Sequence, residues 1–289
     1  MTATIEQYCA PASVDEAATV LRGGDVTILA SGTDLMPQTQ AGRARFGRVL
    51  MNIRRIPELR GIAVEQGAIR IGTLTTVAEL MESDVIRRDL LVLVEAGDQF
   101  ASDQLRNTAT IGGNICNASP AGDLLVPLLI LDAGVELVSM PGGTRESRQV
   151  PLREFFVGPG KTARKASELL VAVRVPRPPD GFVARFHKFG TRPALDIAAI
   201  SIGIGGVLQR GVLTQVRVAF GAVAPTPIRA PKTEAALEGR ALTVDTIGAV
   251  ADVAHDEVRP ISDVRASEWY RRELIHNLTK RVLDDVAAI

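Results

Sequence analysis

Apolar residues alternate between helical and strand periods along almost the whole chain. Ser13-Val14-Asp15-Glu16 carries a capping box, with the Ser13 hydroxyl available to one orphan N–H and Glu16 to another. Ala17, Val20 and Leu21 supply the apolar face of the helix that follows, and Gly23-Gly24 ends it. Val26 to Leu29 is a short β-branched run, a strand that delivers the small-residue loop Ala30-Ser31-Gly32-Thr33-Asp34. With a further strand from Arg48 to Ile53, this opening stretch reads as a small α/β unit. Ile62 to Glu65, the turn Gln66-Gly67 and Ala68 to Gly72 then form a hairpin, and Thr76-Val77-Ala78-Glu79 is a second capping box. Leu90 to Ala96 is apolar at nearly every position and predicts a buried helix. Leu124 to Leu131 predicts another, because Pro127 fits a first turn without breaking a bond.

Val135 to Met140, the turn Pro141-Gly142-Gly143 and Arg145 to Val150 form a second hairpin, followed by a strand from Glu168 to Val175. Pro176, Pro178, Pro179, Asp180 and Gly181 punctuate the chain heavily, which places a domain boundary there. Beyond it come three successive strands, Phe182 to Phe189, Ala198 to Leu208 and Val212 to Val223. Helices follow over Pro231 to Leu237, Val244 to Val253 and Ala266 to Ala287. Three units are expected, residues 1–57, 58–176 and 177–289.

Composition acts mainly by exclusion. The 289 residues are 46% hydrophobic and 23% charged, and 33 Lys and Arg balance 33 Asp and Glu, so no charge footprint favours nucleic acid. No apolar run has the length of a membrane span, and Met1-Thr2-Ala3-Thr4-Ile5-Glu6 lacks a signal-peptide pattern, so a cytoplasmic protein is expected. Only Cys9 and Cys116 are present, with His187, His255 and His276, and none has metal-cluster spacing. Two free thiols in a reducing compartment are the expected state, a Cys9–Cys116 disulfide the alternative.

Several motifs reduce to ordinary structure. Gly158-Pro159-Gly160-Lys161-Thr162 is no P-loop, because Phe155 stands where the first glycine is required. Asp252, His255, Asp256 and Glu257 have the spacing of a solvated helix face, and Trp269-Tyr270 reads as packing. Lys188, on the strand face opposite His187, reads as a surface lysine. No Ser/His/Asp arrangement with a nucleophile elbow is present. Two loops remain, Ala30 to Asp34 and Thr110-Ile111-Gly112-Gly113-Asn114. In the second, glycine reaches φ > 0 and successive N–H groups form a concavity for phosphate oxygens. A tight turn or a strand bulge accounts for the two glycines as well. Together the loops could clamp a dinucleotide diphosphate, though not in the Rossmann manner, since no Gly-x-Gly-x-x-Gly opens a helix.

Longer patterns extend these loops. They are Tyr8-x-x-Pro11-x-Ser13-x-x-Glu16-Ala17, Ala30-x-Gly32-Thr33-Asp34-Leu35, Ile71-Gly72, Gly160-Lys161-Thr162, Glu168-Leu169-Leu170 and Asp196-Ile197-Ala198. The most specific is Leu105-Arg106-Asn107-x-Ala109-Thr110-Ile111-Gly112-Gly113-Asn114-x-x-Asn117-Ala118-Ser119-Pro120-x-x-Asp123. Over nearly its whole length the sequence resembles the FAD-binding subunit or domain of molybdenum hydroxylases, the family of the carbon monoxide dehydrogenase medium subunit and the xanthine dehydrogenase flavin domain. The resemblance implies an α+β fold of the p-cresol methylhydroxylase type, with an N-terminal α/β lobe, a middle sheet lobe, and a C-terminal three-stranded sheet and helix bundle. It implies non-covalent FAD, its diphosphate held by Ala30, Ser31, Gly32, Thr33 and Asp34 and by Thr110, Ile111, Gly112, Gly113 and Asn114, with Leu29 a further cofactor-binding position. By the same resemblance Asp123 bonds a cofactor hydroxyl, and Phe100, Leu170 and Lys188 stand at further flavin contacts; Ser31 occupies a position where many relatives have glycine. No side chain is expected to be catalytic. The molybdenum cofactor and [2Fe-2S] clusters are expected in a large and a small partner subunit, assembled as a dimer of heterotrimers. A self-contained FAD oxidase or dehydrogenase with its own substrate pocket is the alternative, and a protein that kept the fold but lost FAD a third reading.

Overall fold

The computed structural model describes residues 5–192 and 195–289; the reading of Met1 to Thr4 lies outside them. The first apolar pattern builds β1 (Gln7–Cys9), α1 (Val14–Leu21), β2 (Val26–Leu29), α2 (Leu35–Gln40) and β3 (Val49–Asn52), with the strands in a parallel sheet of order β1-β3-β2. Ser13 caps α1, its Oγ accepting the Glu16 N–H at 3.2 Å. The other arm of the box reaches one residue further back than expected, because Glu16 Oε2 accepts from the Ala12 N–H at 2.7 Å.

The middle of the chain contains β4 (Ile62–Glu65), β5 (Ala68–Gly72), α3 (Val77–Glu82), α4 (Asp84–Asp89), α5 (Leu91–Asp98), α6 (Asp103–Arg106), α7 (Ile111–Asn117) and α8 (Leu125–Ile130). It continues through β6 (Gly134–Ser139), β7 (Glu146–Pro151), α9 (Leu152–Phe155), β8 (Phe156–Gly158), β9 (Lys161–Thr162) and β10 (Leu169–Pro176). Five of these strands form an antiparallel sheet, β4-β5-β10-β6-β7. β10 is central and covered on both faces, which explains its unbroken apolar run. Leu169, Val171 and Ala172 join the core that also takes Val14, Ala17 and Leu21 of α1, while Leu170, Val173 and Val175 join the core of the middle helices. The ladder slips between Leu170 and Ala172, a bulge that lets Val171 and Ala172 share one side.

The last third comprises β11 (Phe182–Phe189), β12 (Ile200–Gln209), β13 (Val212–Gly221), β14 (Ile228–Arg229), α10 (Pro231–Leu237), β15 (Arg240–Ala241), α11 (Val244–Glu257) and α12 (Glu268–Ala287). The three expected strands form the antiparallel ribbon β11-β12-β13, to which the two-residue strands β14 and β15 add, both pairing with β13. Two-residue strands have no periodicity to read. In β12 the alternation Ile-Ser-Ile-Gly-Ile-Gly divides two faces. Ile200, Ile202 and Ile204 pack with Ile275, Leu278 and Val282 of α12. The small residues admit α8 on the other side, where a Cβ on Gly203 would come within 3.0 Å of Val126 and 3.2 Å of Ile130. Every residue of α8 is buried, so this helix is shared between the middle lobe and the C-terminal sheet. Among the described residues no helix is long and apolar enough to cross a membrane.

Candidate functional site

A cleft of about 860 Å³ runs between the loop after β2, the start of α7 and the segments around β10 and β11. That size suits an organic cofactor. Its walls include Ala30, Ser31, Gly32, Thr33, Asp34, Phe100, Thr110, Gly112, Gly113, Asn114, Asp123 and Leu170, so twelve of the fifteen expected site residues meet in one space. Leu29, Ile111 and Lys188 support it from behind. Leu29 ends β2 under the first loop, Ile111 is a fully buried core residue, and Lys188 backs Asp123.

The two loops are built differently. In the first, Gly32 adopts φ +78°, a value open to glycine, and the chain turns there into α2. Among the described residues no acceptor in the chain meets the N–H groups of Ser31, Gly32, Thr33 or Asp34. The hydroxyls of Ser31 and Thr33 stand 3.3 Å apart beside them. This row of unspent donors is suited to an anion.

The second loop departs from expectation. Thr110 is the N-cap of α7, and Ile111 to Asn117 is helical, so Gly112 and Gly113 have no positive φ. The N–H groups assigned to a ligand are already spent. Ile111 donates to Thr75 O (3.0 Å), Gly112 to Thr73 O (2.9 Å), Gly113 to Thr110 Oγ1 (3.1 Å) and Asn114 to Thr110 O (3.0 Å). The glycines are needed for closeness instead. A Cβ on Gly112 would lie 2.5 Å from Thr73 Cβ and 2.7 Å from Thr73 O, so α7 rests directly on the chain after β5. Gly113 lies on the exposed cleft side of the helix, and its missing side chain keeps that wall flat. Asn114 brings a buried Oδ1 without a partner among the described residues.

At another wall, Phe100 and Leu170 place apolar surface beside Asp123. Lys188 is not the surface residue that strand alternation predicts. Its side chain is 6% exposed, because the C-terminal end of α5 covers that face of β11. Lys188 Nζ donates to Asp123 Oδ2 at 2.7 Å and to Gln99 O at 2.9 Å. Asp123 Oδ1 is buried, with no partner among the described residues. Burial pushes the Asp123 carboxyl up to about 6, against the pull of the Lys188 ammonium. His187, half-buried on the other face, is pushed below its ordinary value by loss of solvent.

Residue-by-residue reading missed several walls. Arg164 and Gly160 reach the cleft on the segment after β8, and Leu195, Asp196 and Ile197 on the loop after β11. The first segment is tied down by Glu168, whose carboxylate takes Arg148 Nε at 2.6 Å and Nη2 at 2.9 Å and the Lys165 N–H at 2.7 Å. Burial alone would raise the Glu168 carboxyl, but these donors hold it below its usual value. Gln38 of α2 bridges the two loops by donating to Asn117 Oδ1 at 3.2 Å. Cys116 lines the cleft as an exposed free thiol. Asn117, Gly160, Glu168, Asp196 and Ile197 belong to the recognised motifs, whereas nothing in the sequence singles out Gln38 or Arg164.

Elsewhere the acidic group on α11 divides. His255 and His276 pair with Asp256 and Asp252 at the surface. Glu257 is not on a solvated face, since it accepts from Lys232 N, Thr233 N and Thr233 Oγ1 and so caps α10. Trp269 is 69% exposed and therefore not core packing, while Tyr270 meets Phe189 edge-on.

The cleft fits a flavin dinucleotide chemically. Four unsatisfied N–H groups suit a diphosphate, the orphaned Asp123 and Asn114 oxygens suit hydroxyl or imide donors, and Phe100 with Leu170 suits a ring. Residues 3–178 match the family model described as the FAD binding domain in molybdopterin dehydrogenase, and residues 185–286 match the CO dehydrogenase flavoprotein C-terminal domain. The chain is 38% identical over 263 residues to the xanthine dehydrogenase FAD-binding subunit of Escherichia coli O157:H7, covering 90% of this chain and 88% of that one. It is 32% identical over 281 residues to the glyceraldehyde dehydrogenase medium chain of Sulfolobus acidocaldarius, covering 97% and 98%. Among solved structures, a chain of the carbon monoxide dehydrogenase from Hydrogenophaga pseudoflava, in a form lacking the Mo-pyranopterin moiety of the molybdenum cofactor, superposes with a TM-score of 0.91. The sequence identity is 33%, with 98% of each chain covered. The chain therefore belongs to the family of FAD-binding oxidoreductase subunits shared by the xanthine and carbon monoxide dehydrogenases.

Proposed function

We propose that this chain is the electron-transferring flavoprotein subunit of a heteromeric molybdenum hydroxylase. The observation that carries the reading is one cleft joining an unspent N–H row at Ser31 to Asp34 with an unpartnered buried oxygen on Asp123. In it the loop from Ala30 to Asp34 grips the diphosphate, with Leu29 beneath. Thr110, Gly113 and Asn114 form the facing wall on the support of Ile111 and Gly112, and Phe100, Leu170, Asp123 and Lys188 surround the flavin end. Units 1–57 and 58–176 build this cleft, and 177–289 reaches it through the loop after β11, with Lys188 of β11 behind Asp123. The chemistry FAD supplies there is conversion of single electrons, received from iron–sulfur clusters of a small subunit, into a pair for an external acceptor. The chain's own side chains bind and orient; none is assigned a bond-making role.

Substrate oxidation is assigned to a molybdenum-bearing large subunit, and the assembly to a dimer of such heterotrimers in the cytoplasm, where Cys9 and Cys116 stay as thiols. Exposed apolar side chains support the multisubunit reading. Ile261 (68%), Val264 (99%) and Trp269 (69%) are exposed on one segment. That segment is held in place by the buried Arg271, which donates to Asp263 Oδ1 at 2.8 Å and to Ala222 O at 3.1 Å. The chain expressed with its neighbouring subunits is expected to co-purify with bound molybdenum and iron and to release FAD on denaturation. Substrate turnover by this chain alone would instead establish the self-contained oxidoreductase.

A further inference from the structure

β11 is an edge strand, so alternate backbone N–H groups face away from its partner β12. Two of these are met by side chains of the helix lying across them. Phe186 N–H donates to Glu95 Oε2 at 2.9 Å and Lys188 N–H to Gln99 Oε1 at 3.1 Å. The spacing has a geometric basis. Residues two apart on a strand are separated by about 6.7 Å and residues four apart on a helix by about 6 Å of rise, so one helix face can serve successive outward N–H groups. Gln99 does more than replace a strand. Its side chain holds the Lys188 backbone while its own carbonyl takes the Lys188 ammonium at 2.9 Å, fixing that residue at both ends. The ammonium is thereby set 2.7 Å from Asp123 Oδ2, and Asp123 Oδ1 is left as the unpartnered acceptor.

We propose that Gln99 is a positioning residue of the cofactor site, acting through Lys188 to hold the Asp123 carboxylate with one oxygen reserved for the cofactor. The inference rests on the reading of the cleft as an FAD site. It is tested on the full-length chain by titrating cofactor-free protein with FAD, followed by flavin fluorescence and visible circular dichroism. Gln99→Ala is expected to weaken FAD about tenfold, the scale of one hydrogen bond within a charged network, and to alter the circular dichroism of the bound flavin. The double variant Gln99→Ala/Lys188→Met should bind no more weakly than Lys188→Met alone, because the two changes remove one linkage. Gln99→Met gives the same reading should the alanine variant fail to fold. Parent-like affinity in Gln99→Ala and Gln99→Met, or additive losses in the double variant, would overturn the role of Gln99. Absence of FAD binding by the parent chain would overturn the site itself.

Discussion

Burial and an ammonium pull on the Asp123 carboxyl in opposite directions, and burial prevails, placing its pKa at about 6 rather than the ordinary 3.8. In the cofactor-free chain this group therefore contributes stability that is fully present below about pH 4 and is lost as the pH rises through about 6. A cofactor O–H or N–H donating to Oδ1 favours the charged carboxylate, so binding releases a proton and strengthens with pH. FAD affinity is expected to rise about tenfold from pH 5 to pH 7, following ionisation of a group with a pKa near 6. Asp123→Asn should flatten the profile. Titrations across that range provide the measurement, and a flat profile in the parent would show that Asp123 does not face the cofactor.

The two glycines of α7 separate fold from site within one element. Gly112→Ala drives a methyl into Thr73 and is expected to cost about 1–3 kcal/mol of stability, as overpacking does. A Cβ on Gly113 meets only Thr110 Oγ1, at 3.0 Å, on the exposed side of the helix, so Gly113→Val should lower FAD occupancy with a smaller change in melting temperature than Gly112→Ala. Thermal melts and flavin-to-protein absorbance ratios on the two variants distinguish these outcomes. The longer elements were legible, the short ones not: β4, β5 and α10 coincide with the boundaries drawn from their patterns, and α8 is buried along its length in spite of Pro127, whereas α2, α4, α6 and α9 have too few residues to show a period. Hydrogen-bond bookkeeping was not, because Gly-Gly in an N-terminal helical turn has the same letters as Gly-Gly in an anion loop. Only the contacts with Thr73 and Thr75 decide between them. Lys188 escaped for a related reason. Alternation tells which residues share a face, but what covers the face of β11 is Gln99, 89 positions away.

Across the whole molecule, the cleft and the exposed Ile261, Val264 and Trp269 are separate surfaces, which the proposed function gives to cofactor and partner. Under the proposed assembly, Val264→Asp should weaken co-purification with the partner subunits and leave FAD content unchanged, because a charge then replaces a 99% exposed apolar side chain outside the cleft. Subunit pull-down with a flavin spectrum is the check, and loss of both properties together would mean that the segment supports the fold. Motif matching finds the cofactor half of this division readily, since its loops have fixed residue types. The apolar half appears only once the exposure of Ile261, Val264 and Trp269 is seen in three dimensions. The placement of α8 also bears on modularity. Val126 and Ile130 fit against Gly203, and Asp132, just past the helix, pairs with Arg217 and Arg229 of the C-terminal part. A chain cut at the proline-rich stretch would leave the flavin lobe with an uncovered greasy helix. The lobe is therefore not a portable cartridge, and recombination between relatives must carry α8 and its receiving sheet together.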